Sequence, residues 1–200
     1  MIIRAVILDI GGVLIDVDFS KFFQKVGVPS REIPKVIDSV NHSDFFDAFE
    51  RGKVSEEEFR HEMSNHLRVS VTKDLFEMAW NAVLLRSFPG VEKVVSNLRS
   101  NMPVCLLTNS NSIHMRHMLE NYSWFKGLHI LASHELGLRK PETEIYERAV
   151  NTLNLTPEHI LFVDDRSENV KGAKEVGLKS EECSSPHSNL VEILTKLKLL

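Results

Sequence analysis

Four short apolar runs, each closed by polar residues, constrain the fold of this 200-residue chain more than any other feature. They span residues 2–8 ahead of Asp9, 104–107 ahead of Thr108-Asn109, 128–132 ahead of Ser133-His134, and 160–163 ahead of Asp164-Asp165. The runs hardly alternate between apolar and polar residues, so strands built from them must be covered on both faces, as in a parallel sheet. The segments between them carry helical stripes: Val91, Val94, Val95 and Leu98; Ile145, Ala149 and Leu153; Leu190, Ile193, Leu194 and Leu197. Strands alternating with helices predict an α/β fold with a doubly wound, Rossmann-like parallel sheet. Ligands of such sheets bind beyond the carboxyl ends of the strands. The polar residues that close the runs all fall at that edge.

One block breaks the alternation. Residues 18–82 contain no strand-like run and read as helices with recognisable caps. Ser55 and Glu58 have capping-box spacing ahead of a helix running to Leu67. Gly52 is placed to end a helix over residues 43–51, and Thr72 to cap another through Ala82. Eight of the eleven phenylalanines fall in this block, enough for a helical bundle with its own small core. The expected organisation is an α/β core of residues 1–17 and 83–200, with residues 18–82 inserted after the first strand as a helical cap. After Gly177 the sequence LKSEECSSPHSN is too polar for a central strand. It predicts a short edge strand at best, followed by a final helix over residues 189–199.

A net charge of −4 with no basic run argues against nucleic-acid binding. No stretch reaches the roughly 18 apolar residues of a membrane span, and the N-terminal run, interrupted by Arg4, lacks the cleavage site of a signal peptide. Cys105 and Cys183 have no CxxC spacing and imply no disulfide framework. The chain is therefore expected to be cytoplasmic and monomeric. The nine histidines show no metal-binding spacing, and we expect no zinc site.

Singly, the polar residues at the sheet edge admit plain structural roles. Asp9 before Gly11-Gly12 suits a turn, Thr108-Asn109 and Asp164-Asp165 suit helix caps, and Lys140 suits a solvated loop. Together they make a coherent set: a carboxylate nucleophile, further acids for a divalent cation, a hydroxyl and one ammonium. Phosphoryl transfer through an aspartyl-phosphate needs those groups, because the substrate dianion repels a carboxylate until cations screen it.

The segments AVILDIGGVLID, CLLTN, GLRKPETEIY and FVDDRSEN resemble, in order, the four motifs of the haloacid dehalogenase-like (HAD) superfamily. The resemblance extends over about residues 2–177, and is nearest to bacterial α-D-glucose-1-phosphate phosphatase-like proteins and the phosphatase domain of soluble epoxide hydrolase. It implies a Mg²⁺-dependent phosphatase acting on small phosphorylated metabolites such as sugar phosphates, with no nucleic-acid or membrane partner. By the same resemblance Asp9 is the nucleophile and a Mg²⁺ ligand, Gly11 offers its carbonyl to the metal, and Thr108 binds phosphate beside backbone amides near Asn109. Lys140 contacts phosphate and Asp9, Asp165 ligates the metal, and Asp164 is a ligand or an outer-shell acceptor. The insert is the cap that closes over the substrate.

The sequence departs from the family pattern at Gly11, where most of its phosphatases carry a second Asp as general acid/base. Such a group is worth about 10²–10⁴-fold in rate. Asp16 and Asp18 follow in the flap and are candidates to replace it, or to be solvated loop and N-cap residues. A silent binding module, or a dehalogenase in which Asp9 attacks carbon, are the alternative readings.

Overall fold

The computed structural model describes residues 2–183 and 188–200. The chain starts with β1 (Ala5–Leu8) and β2 (Ile15–Val17), then five helices: α1 (Ser20–Lys25), α2 (Ile33–Asn41), α3 (Asp44–Glu50), α4 (Glu56–Leu67) and α5 (Lys73–Asn81). It continues through β3 (Leu84–Ser87), α6 (Val91–Asn101), β4 (Val104–Thr108), α7 (Ser112–Asn121), β5 (His129–Ala132) and α8 (Ser133–Leu136). The last elements are α9 (Thr143–Leu153), β6 (Ile160–Asp164), α10 (Ser167–Glu175), β7 (Lys179–Glu182) and α11 (Ser188–Lys196).

Five strands form one parallel sheet in the order β5-β4-β1-β6-β7. The three central strands are buried throughout, which is why their sequences do not alternate. Their side chains nonetheless divide between two faces with a period of two. Val6, Leu8, Leu106, Leu161 and Val163 join one cluster with Val95 and Leu98 of α6 and Leu190 and Leu194 of α11. Ala5, Ile7, Cys105, Leu107 and Phe162 join the opposite cluster with Ile145, Tyr146 and Ala149 of α9. Helices therefore cover both faces, as the apolar runs required.

The polar C-terminal segment forms β7 at the sheet edge, parallel to β6. Part of the linker that follows, residues 184–187, lies outside the described residues. The final helix starts and ends earlier than its apolar stripe suggested, stopping where Lys198 takes a φ of 58°.

The insert packs around its own aromatic centre. Trp80 and six buried phenylalanines gather there, Phe59 stacking on Phe49 with ring centroids 3.9 Å apart. Phe19 and Phe45 pack against the same cluster from its margin. Its caps follow the sequence signals. Ser55 Oγ accepts the Glu58 amide at 3.2 Å while Glu58 Oε2 accepts the Ser55 amide at 2.7 Å, and the Ser43 and Thr72 hydroxyls accept the Phe46 and Leu75 amides. Gly52, at φ 64°, ends α3 so close to the core that any Cβ there would meet the His134 carbonyl.

One element had no sequence signal. The three residues of β2 pair antiparallel with β3, joining the two ends of the insert where it leaves the core. Neither strand is long enough to display periodicity.

Candidate active site

Each group at the carboxyl edge is placed by a strand end. Asp9 follows β1, Thr108 closes β4, and Asp164 closes β6 with Asp165 next. Lys140 reaches them from the loop between α8 and α9, where its peptide bond to Pro141 is cis. Its Nζ donates to Asp164 Oδ2 at 2.6 Å and to the Leu107 carbonyl at 2.9 Å, and lies 2.8 Å from Asp9 Oδ1. The lysine is only 3% exposed. What the sequence left open as a solvated loop lysine is thus a buried cation between two carboxylates.

The electrostatics follow from that burial. Desolvation pushes the Asp9 carboxyl up to about 7, with Asp164 adding to the rise and Lys140 opposing it. Burial alone would pull the Lys140 ammonium down, but Asp164 and Asp9 hold it above the ordinary lysine value. Desolvation and then Asp164 raise Asp165 as well. Carboxylate oxygens of Asp9, Asp164 and Asp165 lie within 4.8 Å of one another. Three acids against one ammonium leave surplus negative charge, and all the donors are oxygens. That set fits a hard divalent cation such as Mg²⁺.

Asp164 is fully buried and already well occupied. Its Oδ1 accepts the Arg166 amide and Asn169 Nδ2, each at 2.9 Å, and its Oδ2 accepts Lys140. Asp165 is less enclosed, and Gly12 makes room for it: at φ 74°, any Cβ on Gly12 would collide with Asp165 Oδ2. Gly11 is different. Its φ is not in the left-handed region, and a Cβ there would meet only the Val17 side chain, at 3.6 and 3.9 Å, ordinary contacts.

Asp9, Gly11, Thr108, Asn109, Lys140 and Asp165 line one cavity of about 430 Å³. Six of the seven residues singled out from the sequence thus share one wall, with Asp164 behind them. Asn109 does more than the sequence suggested. Its side chain clamps the Lys140 backbone, Oδ1 accepting the Lys140 amide at 2.8 Å and Nδ2 donating to the Lys140 carbonyl at 2.9 Å.

The candidates for the missing acid/base do not reach this wall. Neither Asp16 nor Asp18 lines the cavity. Strand β2 turns Val17 toward it and Asp16 the other way, by the two-residue alternation of a strand. Asp18 instead lies just before α1, accepting the Ser20 amide at 2.9 Å and pairing with Lys21 at 3.6 Å, and the Ser20 bonds hold its carboxyl below the usual range.

The opposite wall comes from the insert and α7: Phe19, Asn41, His42, Phe46, Glu50 and His114. His114 is buried, stacked on Trp80, with its Nε2 2.9 Å from the Trp80 carbonyl, and burial lowers it to about 4. Polar anchors tie the insert to the core on both sides. Arg51 pairs with Asp47 and Glu142, Arg139 with Asp47, and Arg116 with Glu56 and Glu77.

Sequence reading missed Asn169 and Glu50. Asn169 stands inside FVDDRSEN, a helical turn beyond the aspartates, close enough to have been read as their hydrogen-bond partner. Glu50 falls four residues after Phe46, on the apolar stripe of α3. A charge on a buried face is the signal that was available.

The family model described as a haloacid dehalogenase-like hydrolase matches residues 3–177. The chain belongs to that family. Among curated proteins, it is 30% identical to a D-ribitol-5-phosphate phosphatase of Bacteroides thetaiotaomicron, over 89% of this chain and 90% of that protein. It is 27% identical to a sesquiterpene phosphatase of Aspergillus oryzae, over 88% and 87% of the two chains. Among solved structures, a HAD family enzyme of Bacteroides thetaiotaomicron in complex with magnesium and inorganic phosphate superposes with a TM-score of 0.80 at 25% identity, covering 94% of this chain and 98% of that one.

Proposed function

We propose that this HAD hydrolase is a Mg²⁺-dependent phosphatase that cleaves small phosphorylated metabolites through an aspartyl-phosphate on Asp9. The observation that carries the reading is Lys140, buried between Asp9 and Asp164 in the wall of the cavity that Thr108 also lines. Asp9, the Gly11 carbonyl and Asp165 would hold Mg²⁺. Asp164, whose oxygens already take three hydrogen bonds, would act on it through water. The bound metal would screen the repulsion between the substrate phosphate and Asp9.

The chain's own groups do the rest. Lys140 neutralises Asp9 enough for approach and meets the charge that spreads over the equatorial phosphate oxygens in the transition state. Asn109 fixes the lysine backbone, and Asn169 fixes the carboxylate on the lysine's far side. The Thr108 hydroxyl donates to a phosphate oxygen. Residues 18–82 act as the cap, excluding water from the reacting centre and presenting the wall that meets the leaving group.

The substrates we infer are sugar or polyol phosphates. A cavity of about 430 Å³ lies within the usual size range for small-molecule sites, and its cap wall mixes Asn41, His42 and Glu50 with aromatic rings. The D-ribitol-5-phosphate phosphatase relative points the same way.

The test is phosphate release from a panel of phosphorylated sugars, polyols and other metabolites in Mg²⁺, with EDTA and Asp9→Asn as controls. Turnover abolished by both is the expected result. Folded protein that binds Mg²⁺ and a phosphorylated ligand without releasing phosphate would instead make it a binding module, the reading that Gly11 favours.

A further inference from the structure

The Gly11 position leaves one chemical role unfilled: a group that protonates the departing oxygen and then activates water. Beyond Asp9 and Asp165, the cavity wall holds one more carboxylate among the described residues, Glu50. The two histidines of the wall serve poorly. His114 is tied between the Trp80 carbonyl and the Asn111 side chain, and His42 stands exposed with its Nδ1 2.8 Å from the Asp38 carbonyl.

Glu50 is 7% exposed, at the last turn of α3, where its own carbonyl accepts the Ser133 hydroxyl and so docks the cap against the core. Its Oε2 is buried without a hydrogen-bond partner and pairs with the Arg139 guanidinium, 2.6 Å from Nη2. The Glu50 side chain lines the same cavity as Asp9 and Asp165.

We propose that Glu50, carried by the cap, is the proton-transfer residue of this enzyme in place of the family's Asp at the Gly11 position. This rests on the aspartyl-phosphate reading above. In the first step an Asp9 oxygen attacks phosphorus and the bond from phosphorus to the ester oxygen breaks. The bonding pair stays on that oxygen, which takes the proton of Glu50 and leaves as alcohol. In the second step water attacks the phosphorus of the aspartyl-phosphate and gives a proton to the Glu50 carboxylate. The Asp9 carboxylate is expelled, inorganic phosphate forms, and both acids return to their starting states.

The surroundings support the role. Burial raises the Glu50 carboxyl above the ordinary value, with Asp47 adding to the rise and Arg139, Arg166 and Lys140 restraining it, so the acid form persists at higher pH than for a free glutamate. Mounting the group on the cap would also couple proton transfer to a seated cap, so that hydrolysis waits for the site to be covered.

The experiment compares esters with good and poor leaving groups, p-nitrophenyl phosphate and an alkyl phosphate such as a pentitol phosphate, in wild type, Glu50→Gln and Glu50→Ala. The expected loss for the alkyl ester is about 10²–10⁴-fold in kcat, together with loss of the alkaline limb of the pH profile. For p-nitrophenyl phosphate, release of the first p-nitrophenol is nearly spared, and aspartyl-phosphate accumulates because its hydrolysis lacks a base. Added formate should restore Glu50→Ala. The double variant Gly11→Asp/Glu50→Gln should regain activity, since Gly11 has room for a side chain. Thermal melts show that each variant is folded. Equal losses for both esters in the first turnover, no accumulation of aspartyl-phosphate, an unchanged pH profile and no rescue by formate or by Gly11→Asp would reduce Glu50 to a cap anchor and overturn the proposal. The phosphatase reading fails separately, if wild type releases no phosphate or Asp9→Asn still does.

Discussion

Replacing Lys140 with methionine tests the electrostatic construction of the site most directly. Methionine keeps a similar unbranched shape, so the perturbation is mainly the loss of the ammonium. Three contacts disappear, to Asp9 at 2.8 Å, Asp164 at 2.6 Å and the Leu107 carbonyl at 2.9 Å, around a side chain that is 1% exposed. Removing one partner of a buried ion pair costs about 3–5 kcal/mol, because the remaining charge stays buried without compensation. In a chain of 200 residues each kcal/mol is worth about 2–4 °C, so Tm of the metal-free protein should fall by roughly 6–20 °C at pH 8. The sign of the pH dependence is fixed by Asp9. Its folded pKa of about 7 lies above the unfolded 3.8. The folded state therefore binds the proton more tightly, and this contribution to stability fades as pH rises from about 4 through 7. Without Lys140 the rise in Asp9 is larger, so the variant suffers most at high pH and recovers as Asp9 protonates. Urea unfolding in EDTA at pH 5 and pH 8 measures both effects. The gap between wild type and variant should narrow at pH 5. A gap under about 1 kcal/mol at pH 8, or one that widens on acidification, would refute this account of the buried pair. Activity should fall in parallel, without recovery at low pH.

Three further outcomes follow from particular contacts. Gly12→Ala places a Cβ against Asp165 Oδ2 at a φ of 74°; calorimetric titration should show weakened Mg²⁺ binding, with a stability loss of about 1–3 kcal/mol from backbone strain. Asn169→Leu removes one of the donors to Asp164 Oδ1; kcat should drop well before KM changes, and stability should fall by about 1–3 kcal/mol for the buried acceptor left short. Phe59→Ala empties the centre of the helical insert, where Phe59 is fully buried against Phe49 and Trp80. It should cost about 3–5 kcal/mol and be visible as lost near-ultraviolet dichroism, while unchanged stability would mean that the core of the insert is not cooperative with the sheet.

Much of this protein was determined by its sequence alone, because the signals concerned are local. The apolar runs set strands that must be covered on both faces, and the residues closing those runs had to meet at one edge, so Asp9, Thr108 and the 164–165 pair were identifiable before any contact was known. The caps at Ser55 and Thr72 were equally legible, since a hydroxyl and an amide three residues on find each other within one turn. Tertiary structure decided the remainder. Asp16 and Asp18 share a tripeptide, but the pairing of β2 with β3 turns Asp16 from the cavity and the start of α1 claims Asp18. Asn109 reads as a helix cap until the loop carrying Lys140 arrives 31 residues later to be clamped by it. Glu50 stands on the apolar stripe of α3, but only the packing of that helix on the core gives its carboxylate a cavity to face. In each case the deciding partner lies far along the chain, and the direction of a side chain depends on what its element packs against, which no local pattern of residues encodes.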